Sequence, residues 1–360
     1  DSGRQEQVVY PGGSVAQDLH LAGVPIVVAS QFPLSFKGSV ALTDTLYGRL
    51  LEGDDPRVAV AKARNRLIAM PGGDTRAPDP YGLLMYAAPP ADLDAQLTVA
   101  RRARAWSAMK RAEARELPAT ERLLSWASKT LETECVALEA EIGATEALKK
   151  RAEHARATEI NADLARLNHL MGEFMGLRAS SKKRLAEAQH RADEPWQTTL
   201  AQARELYKQA AAIQRTSHWV LCQALVLSVV FDRAGKRDEA RSEALQQSWR
   251  ETSAAAQMDS DPAWVAGTML ELYVIAPLVF GDASPWGGLV GRETSVGEQA
   301  KALRDAVPPE GSQFPIESTV KELRRYVTWW GPKKPETDPH WELARKHAEA
   351  ALRILGQTDS

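Results

Sequence analysis

The chain has 360 residues, of which 44% are apolar and 26% charged, a balance that fits a folded chain with ordinary cores and room for two domains. Lysine plus arginine number 45 against 47 aspartate plus glutamate, a net charge of −2, so no overall positive field favours a nucleic-acid partner. Two cysteines, Cys135 and Cys222, are too few for a disulfide framework and point to a reducing, cytoplasmic setting. The longest apolar stretches, Trp219 to Phe231 and Trp264 to Phe280, are interrupted by Gln223, Ser228 and Glu271. They predict no membrane span, and no signal peptide is visible.

In chain order, strand signals are confined to the first 90 residues. Val24 to Ser30 is a short β-branched run bounded by Gly23 and Phe32-Pro33, as in a strand buried on both faces. Phe36 to Gly53 reads as a helix with Val40, Leu42, Leu46, Tyr47, Leu50 and Leu51 at spacings of three and four. Asp55-Pro56 opens a second helix, because an aspartate caps free N–H groups and a first-turn proline costs no hydrogen bond. A Pro/Gly/Asp loop from Pro71 to Pro80 closes it. Gly82 to Ala88 is a second strand, ended by Pro89-Pro90.

The run from Gly13 to Ser35, with Gly23-Val24-Pro25-Ile26-Val27-Val28-Ala29 followed by Phe32-Pro33, resembles the closing part of the CHAT domain, a caspase-like group of cysteine endopeptidases. Asp1-Ser2-Gly3 is similar to the tail of the family's catalytic A-C-x-S-G. The resemblance implies an α/β fold for residues 1–90, the carboxyl-terminal half of a caspase-like sandwich. It further implies a Cys/His mechanism and no cofactor, with the cysteine immediately before Asp1 and the histidine one strand earlier. Asp1, Ser2 and Gly3 would then line the floor beneath the sulfur. Ser30, Gln31 and Phe32, at the carboxyl end of the first strand, would form a wall of the peptide groove by β-addition. The plainer reading of these three is a strand-to-helix turn with Phe32 in the core.

Beyond Pro90 the period turns helical. Residues 91–192 are rich in Ala, Leu, Glu, Arg and Lys, which is long-helix composition, with Leu117-Pro118 and Gly143 as candidate bends. Residues 193–360 read as stacked helix pairs. Asp193-Glu194-Pro195-Trp196 is echoed by Asp261-Pro262-Ala263-Trp264 and Asp338-Pro339-His340-Trp341, each offering an aspartate cap, an early proline and a core tryptophan. These tryptophans are 68 and 77 residues apart, near two tetratricopeptide periods. Leu227, Ser228, Phe231, Gly235 and Ala240 are similar to that repeat's pattern, whereas Ala244 stands where it prefers an aromatic. Tetratricopeptide-like repeats and an unrelated helical bundle both remain open.

Few other residues invite chemistry. His20, among Leu19, Leu21 and Ala22, reads as a packing or hydrogen-bonding histidine. Cys222, on an apolar helix, reads as an inert core thiol, and the glutamates around Cys135 raise a thiol pKa. His154, His169, His190 and His347 lack metal-ligand spacing. Arg101, Arg102, Arg104, Lys110 and Arg111 read as a solvated helix face, Gly287 to Arg292 as an insertion loop, and Trp329-Trp330 as half exposed.

Three functions are compatible with these signals. The first is a fragment of a CHAT-type endopeptidase whose helical part binds a protein or peptide, itself inactive without the catalytic pair. The second is a scaffold or signalling adaptor with a degenerate peptidase-like domain, and the third a helical binding protein with an accidental α/β flank.

Overall fold

The computed structural model describes residues 15–31, 34–51, 54–70, 83–112, 117–150, 154–232, 239–281, 293–308, 310, 312–330 and 338–356. Asp1, Ser2, Gly3, Phe32, Gly235, the 71–80 loop and the 287–292 loop, all singled out above, lie outside the described residues. The chain divides into two compact units, Asp1–Ser107 and Ala108–Ser360.

The first unit contains α1 (Val15–Leu21), β1 (Ile26–Ser30), α2 (Phe36–Leu51), α3 (Pro56–Ile68), β2 (Leu83–Ala87) and the start of α4 (Leu93–Ala112). Both strands fall where the apolar runs place them. They pair directly and antiparallel, with Ile26 opposite Ala87 and Ser30 opposite Leu83. Two helices, α2 and α3, lie between the strands in sequence. Asp55 caps α3 by accepting the Arg57 N–H at 2.7 Å, with Pro56 in the first turn. Asp54 takes Arg49 at 2.9 Å and Lys62 at 2.8 Å, fastening the end of α2 to α3. Leu46, Ala59, Val60, Ala63 and Leu83 form a small core on which Val28, Leu42 and Met85 pack.

This arrangement corrects the expected fold class. An α/β sandwich half followed by helices was read from the sequence, yet helix dominates the described residues and the sheet has two strands only. The apolar, β-branched run identifies a strand but not its number of neighbours. With one partner, β1 is half-buried at every position rather than covered on both faces. So small a sheet covers little of α2, where Phe36, Tyr47 and Leu51 stay exposed.

The second unit contains the rest of α4, then α5 (Leu117–Lys149), α6 (His154–Arg191), α7 (Gln197–Ile213), α8 (His218–Asp232), α9 (Glu239–Gln257), α10 (Pro262–Phe280), α11 (Glu293–Ala306), α12 (Phe314–Thr328) and α13 (Pro339–Ile354). Helix α5 runs unbroken through Gly143, and Leu117-Pro118 is its first turn rather than a bend. Helix α10 packs against α8, α9, α11, α12 and α13. Fifteen of its nineteen residues are buried, which makes it the hub of the unit. It is the one described helix long and apolar enough to cross a membrane, and its apolar surface is spent on these neighbours. Gly267 lets α12 come close, since a Cβ there would lie 2.7 Å from Thr319 Oγ1.

The aspartate-proline-tryptophan echo resolves into two real caps and one different device. Asp261 Oδ1 accepts the N–H groups of Ala263 and Trp264 at 3.0 and 3.3 Å, and Asp338 Oδ1 those of His340 and Trp341 at 3.1 and 3.2 Å. Asp193 instead closes α6 in the left-handed region, at φ 58°, and α7 has no side-chain cap. The echo therefore precedes α7, α10 and α13, every third described helix. A period of two-helix repeats would place it at every second or fourth.

Candidate functional site

Of the six residues assigned to a peptide groove, Ser30 and Gln31 are described. Ser30 ends β1 opposite Leu83, half-buried and engaged with a neighbour, and Gln31 follows it exposed. They stand at the carboxyl end of the strand, as read from the sequence. The edge of β1 away from β2 has no strand beside it among the described residues. His20 Nδ1 lies 2.9 Å from the Val24 carbonyl and its ring is tilted against Tyr86, a hydrogen-bonding histidine that ties α1 to the strands.

Both thiols are buried. Burial, joined by nearby glutamates, pushes Cys135 up to about 11, and burial beside Glu271 holds Cys222 well above its ordinary value. Neither is a thiolate nucleophile. Trp329 and Trp330 are buried too, against expectation: Trp329 stacks on His190 at 5.5 Å and meets Trp196 edge-on at 5.4 Å, and Trp330 meets Tyr326 edge-on at 5.0 Å. His190 at the end of α6 and Trp196 before α7 cover Trp329 from far along the chain, which a local reading of Trp-Trp-Gly-Pro could not foresee.

The second unit buries a charged cluster that sequence reasoning did not assemble. Lys183 of α6, 2% exposed, donates to Glu322 Oε1 of α12 at 2.6 Å and to Gln223 Oε1 of α8. Arg325 Nη1 lies 2.6 Å from the same Glu322 oxygen, and its Nε and Nη2 donate to Glu187 Oε2 at 3.1 and 2.7 Å. Glu271 of α10 accepts Gln223 Nε2 at 3.2 Å, Tyr326 Oη at 3.3 Å and Cys222 Sγ at 3.5 Å.

The titration of this cluster follows from its geometry. Burial opposes ionisation of Glu322, but Arg325 and Lys183 outweigh it and hold the carboxyl down at about 2. Burial, reinforced by the Glu322 charge, raises Glu271 to about 7. Burial also draws Lys183 below its ordinary value against the pull of Glu322. Two buried cations thus face three carboxyls, of which Glu271 is the one whose pKa is raised. The cluster joins α6, α8, α10 and α12. Its signal in the sequence was the interruption of two apolar helices by Gln223 and Glu271.

A groove of about 1450 Å³ runs over α7, α8 and α9. Leu221, Ala224, Leu225 and Ser228 of α8 line it together with Ala244, Leu245, Ser248, Thr252 and Ala255 of α9. Arg204, Lys208 and Arg215 stand on the α7 side, Glu251 and Asp259 on the α9 side. Its volume exceeds the roughly 300–1,000 Å³ of small-molecule pockets and suits a peptide segment. The groove thus crosses three successive helices of the second unit.

A family model of the CHAT domain matches residues 2–133, a little over a third of the chain, running past β2 through α4 and into α5. No curated protein and no solved structure gives a match.

Proposed function

We propose that this chain is the carboxyl-terminal part of a CHAT-type, caspase-like cysteine endopeptidase whose helical unit binds a protein or peptide that controls it. The CHAT match over residues 2–133 carries the reading. It goes further along the chain than the motif run alone and takes in α4 and half of α5, so the peptidase-like region and the long helices are read as one functional body. In this reading Asp1, Ser2 and Gly3 lie under the nucleophile. Ser30, Gln31 and Phe32 wall the substrate groove; the position of Ser30 and Gln31 at the carboxyl end of β1 supports this. The catalytic cysteine and histidine come from residues preceding Asp1, and the mechanism uses no cofactor: an imidazole takes the thiol proton and the thiolate attacks the scissile carbonyl.

The alternative is an adaptor or scaffold whose peptidase-like domain is degenerate; burial and raised pKa values make Cys135 and Cys222 core thiols in either case. A single experiment separates the two. The chain is expressed with the residues that precede it and treated with a peptidyl acyloxymethyl ketone, and cleavage of a peptide library is followed in parallel. Labelling of a cysteine directly before Asp1, with cleavage lost in its alanine variant, supports the peptidase. Absence of both labelling and cleavage, with the partner bound, leaves the adaptor.

A further inference from the structure

The groove over α7, α8 and α9 carries enough detail to specify what fills it. Three of its hydroxyl groups already donate within their own helices: Ser228 to the Ala224 carbonyl at 2.8 Å, Ser248 to Ala244 at 2.9 Å and Thr252 to Ser248 at 2.7 Å. Helical walls have saturated backbones as well. Along the α8 and α9 walls an extended peptide would find few partners for its own N–H and C=O groups, a cost that an α-helix avoids by bonding internally. The α9 wall presents Ala244, Ser248, Thr252 and Ala255 at spacings of four and three, small side chains that admit a helix closely. A helix of about 11 Å diameter filling this volume would be about 15 Å long, or roughly three turns.

The charges give the flank. Arg204, Lys208 and Arg215 line the α7 side, and the first two share one carboxylate: Glu205 lies 3.0 Å from Arg204 and 3.7 Å from Lys208. Across the groove Asp259 is held by His218 and by the Asp261 N–H, so one acid, Glu251, faces the opening with only the Gln247 amide on it. Met258 projects at the rim, 86% exposed, the adaptable apolar contact common on peptide-binding surfaces.

We propose that the groove binds an amphipathic α-helix of a partner protein, about three turns long. Small and medium apolar residues face α8 and α9, and a row of carboxylates lies along the flank that meets Arg204, Lys208 and Arg215. This rests on the reading of the helical unit as the partner-binding part.

The test uses the full 360-residue chain and three fluorescein-labelled peptides of about 14 residues. One has a Leu/Ala stripe with Glu along one flank, the second has Lys in place of Glu, and the third is the acidic peptide with a central proline. Anisotropy should show the acidic peptide binding about tenfold more tightly than the basic one at low salt, with the proline version weakest. The double variant Lys208→Glu/Arg215→Glu should invert the charge preference. Ser248→Trp should block all three while leaving the circular-dichroism melting curve unchanged. No binding of the acidic peptide, equal binding of acidic and basic peptides, or undiminished binding of the proline peptide would each overturn the proposal. A longer chain that cleaves peptides yet ignores the acidic helix would remove this inference and leave the peptidase reading standing.

Discussion

Replacing Glu271 by glutamine should make the helical unit more stable at pH 8 and hardly change it at pH 5. The carboxyl titrates near 7 when folded, raised by burial and then by Glu322, against its ordinary 4.5 in the unfolded chain. A raised carboxyl means that the folded state binds the proton more strongly. Its stability contribution is complete below pH 4.5 and is lost as pH rises through 7. At 1.36 kcal/mol per pH unit between those values, the wild type should lose about 3 kcal/mol that the glutamine variant keeps. The replacement suits the site: an amide oxygen can still accept from Gln223 and Cys222, and the Tyr326 hydroxyl can accept from the new NH2. Urea unfolding at pH 5, 6, 7 and 8, followed by tryptophan emission, measures it. Of the ten tryptophans only Trp106 precedes residue 108, so emission reports the helical unit. The expected result is a wild-type stability falling with pH against a nearly flat variant. Parallel curves would show that Glu271 is already ionised in the folded core and that the burial argument is wrong. Glu322 acts in the opposite sense: held near 2, it contributes fully above pH 4.5 and loses that contribution as pH falls through 2, so it adds an acid limb common to both proteins.

Lys183→Met should cost about 3 kcal/mol in the same assay, because Glu322 and Gln223 keep their burial and lose a donor; a loss below about 1 kcal/mol would show that Arg325 alone satisfies Glu322. Asp261→Ala and Asp338→Ala should each lower stability by about 1 kcal/mol, whereas Asp193→Gly, at φ 58°, should raise it by about 0.5 kcal/mol; the same sign at all three would refute the distinction between caps and left-handed closure. Gly267→Ala should destabilise the α10–α12 contact by about 1–3 kcal/mol, and adding Thr319→Ala should recover part of it; an additive double variant would mean that the Cβ meets no obstacle at Thr319.

What could be read from the sequence was local. The strand near Val24 to Ser30 announces itself through β-branched residues between Gly23 and a proline, and the caps at Asp55, Asp261 and Asp338 through an aspartate directly before a proline. Each depends on residues within a few positions, and each was found where it was expected. The α/β fold class failed because the number of strands beside β1 is a long-range property. Asp193 failed as an N-cap for a related reason. Glu194 follows it before Pro195, which moves the proline one place away from the aspartate, and the aspartate closes the helix behind it instead of opening the one ahead.

The buried cluster shows what a one-dimensional reading discards. Gln223 and Glu271 stand out because they interrupt apolar helices, and a polar residue on such a helix must find a partner or lose about 1–3 kcal/mol. Their partners do not stand out. Lys183 lies in a run with Lys182 and Arg184, and Glu322 and Arg325 lie in a polar helix beside Lys321 and Arg324, so by composition all three belong on the surface. They become core residues because α10 is apolar around most of its circumference and draws α8 and α12 against it, and α12 brings Glu322 to Lys183 across 139 positions of chain. The two visible interruptions were therefore half of a signal. An acid that breaks a long apolar helix calls for a cation elsewhere, and a lysine or arginine on a helix able to reach that face is the residue to seek, even where its neighbours are charged. Here the contacts decide the rest: Glu322 and Glu187 are held by Arg325 and Lys183, and the carboxyl without a direct cation contact, Glu271, is the one that burial raises to about 7.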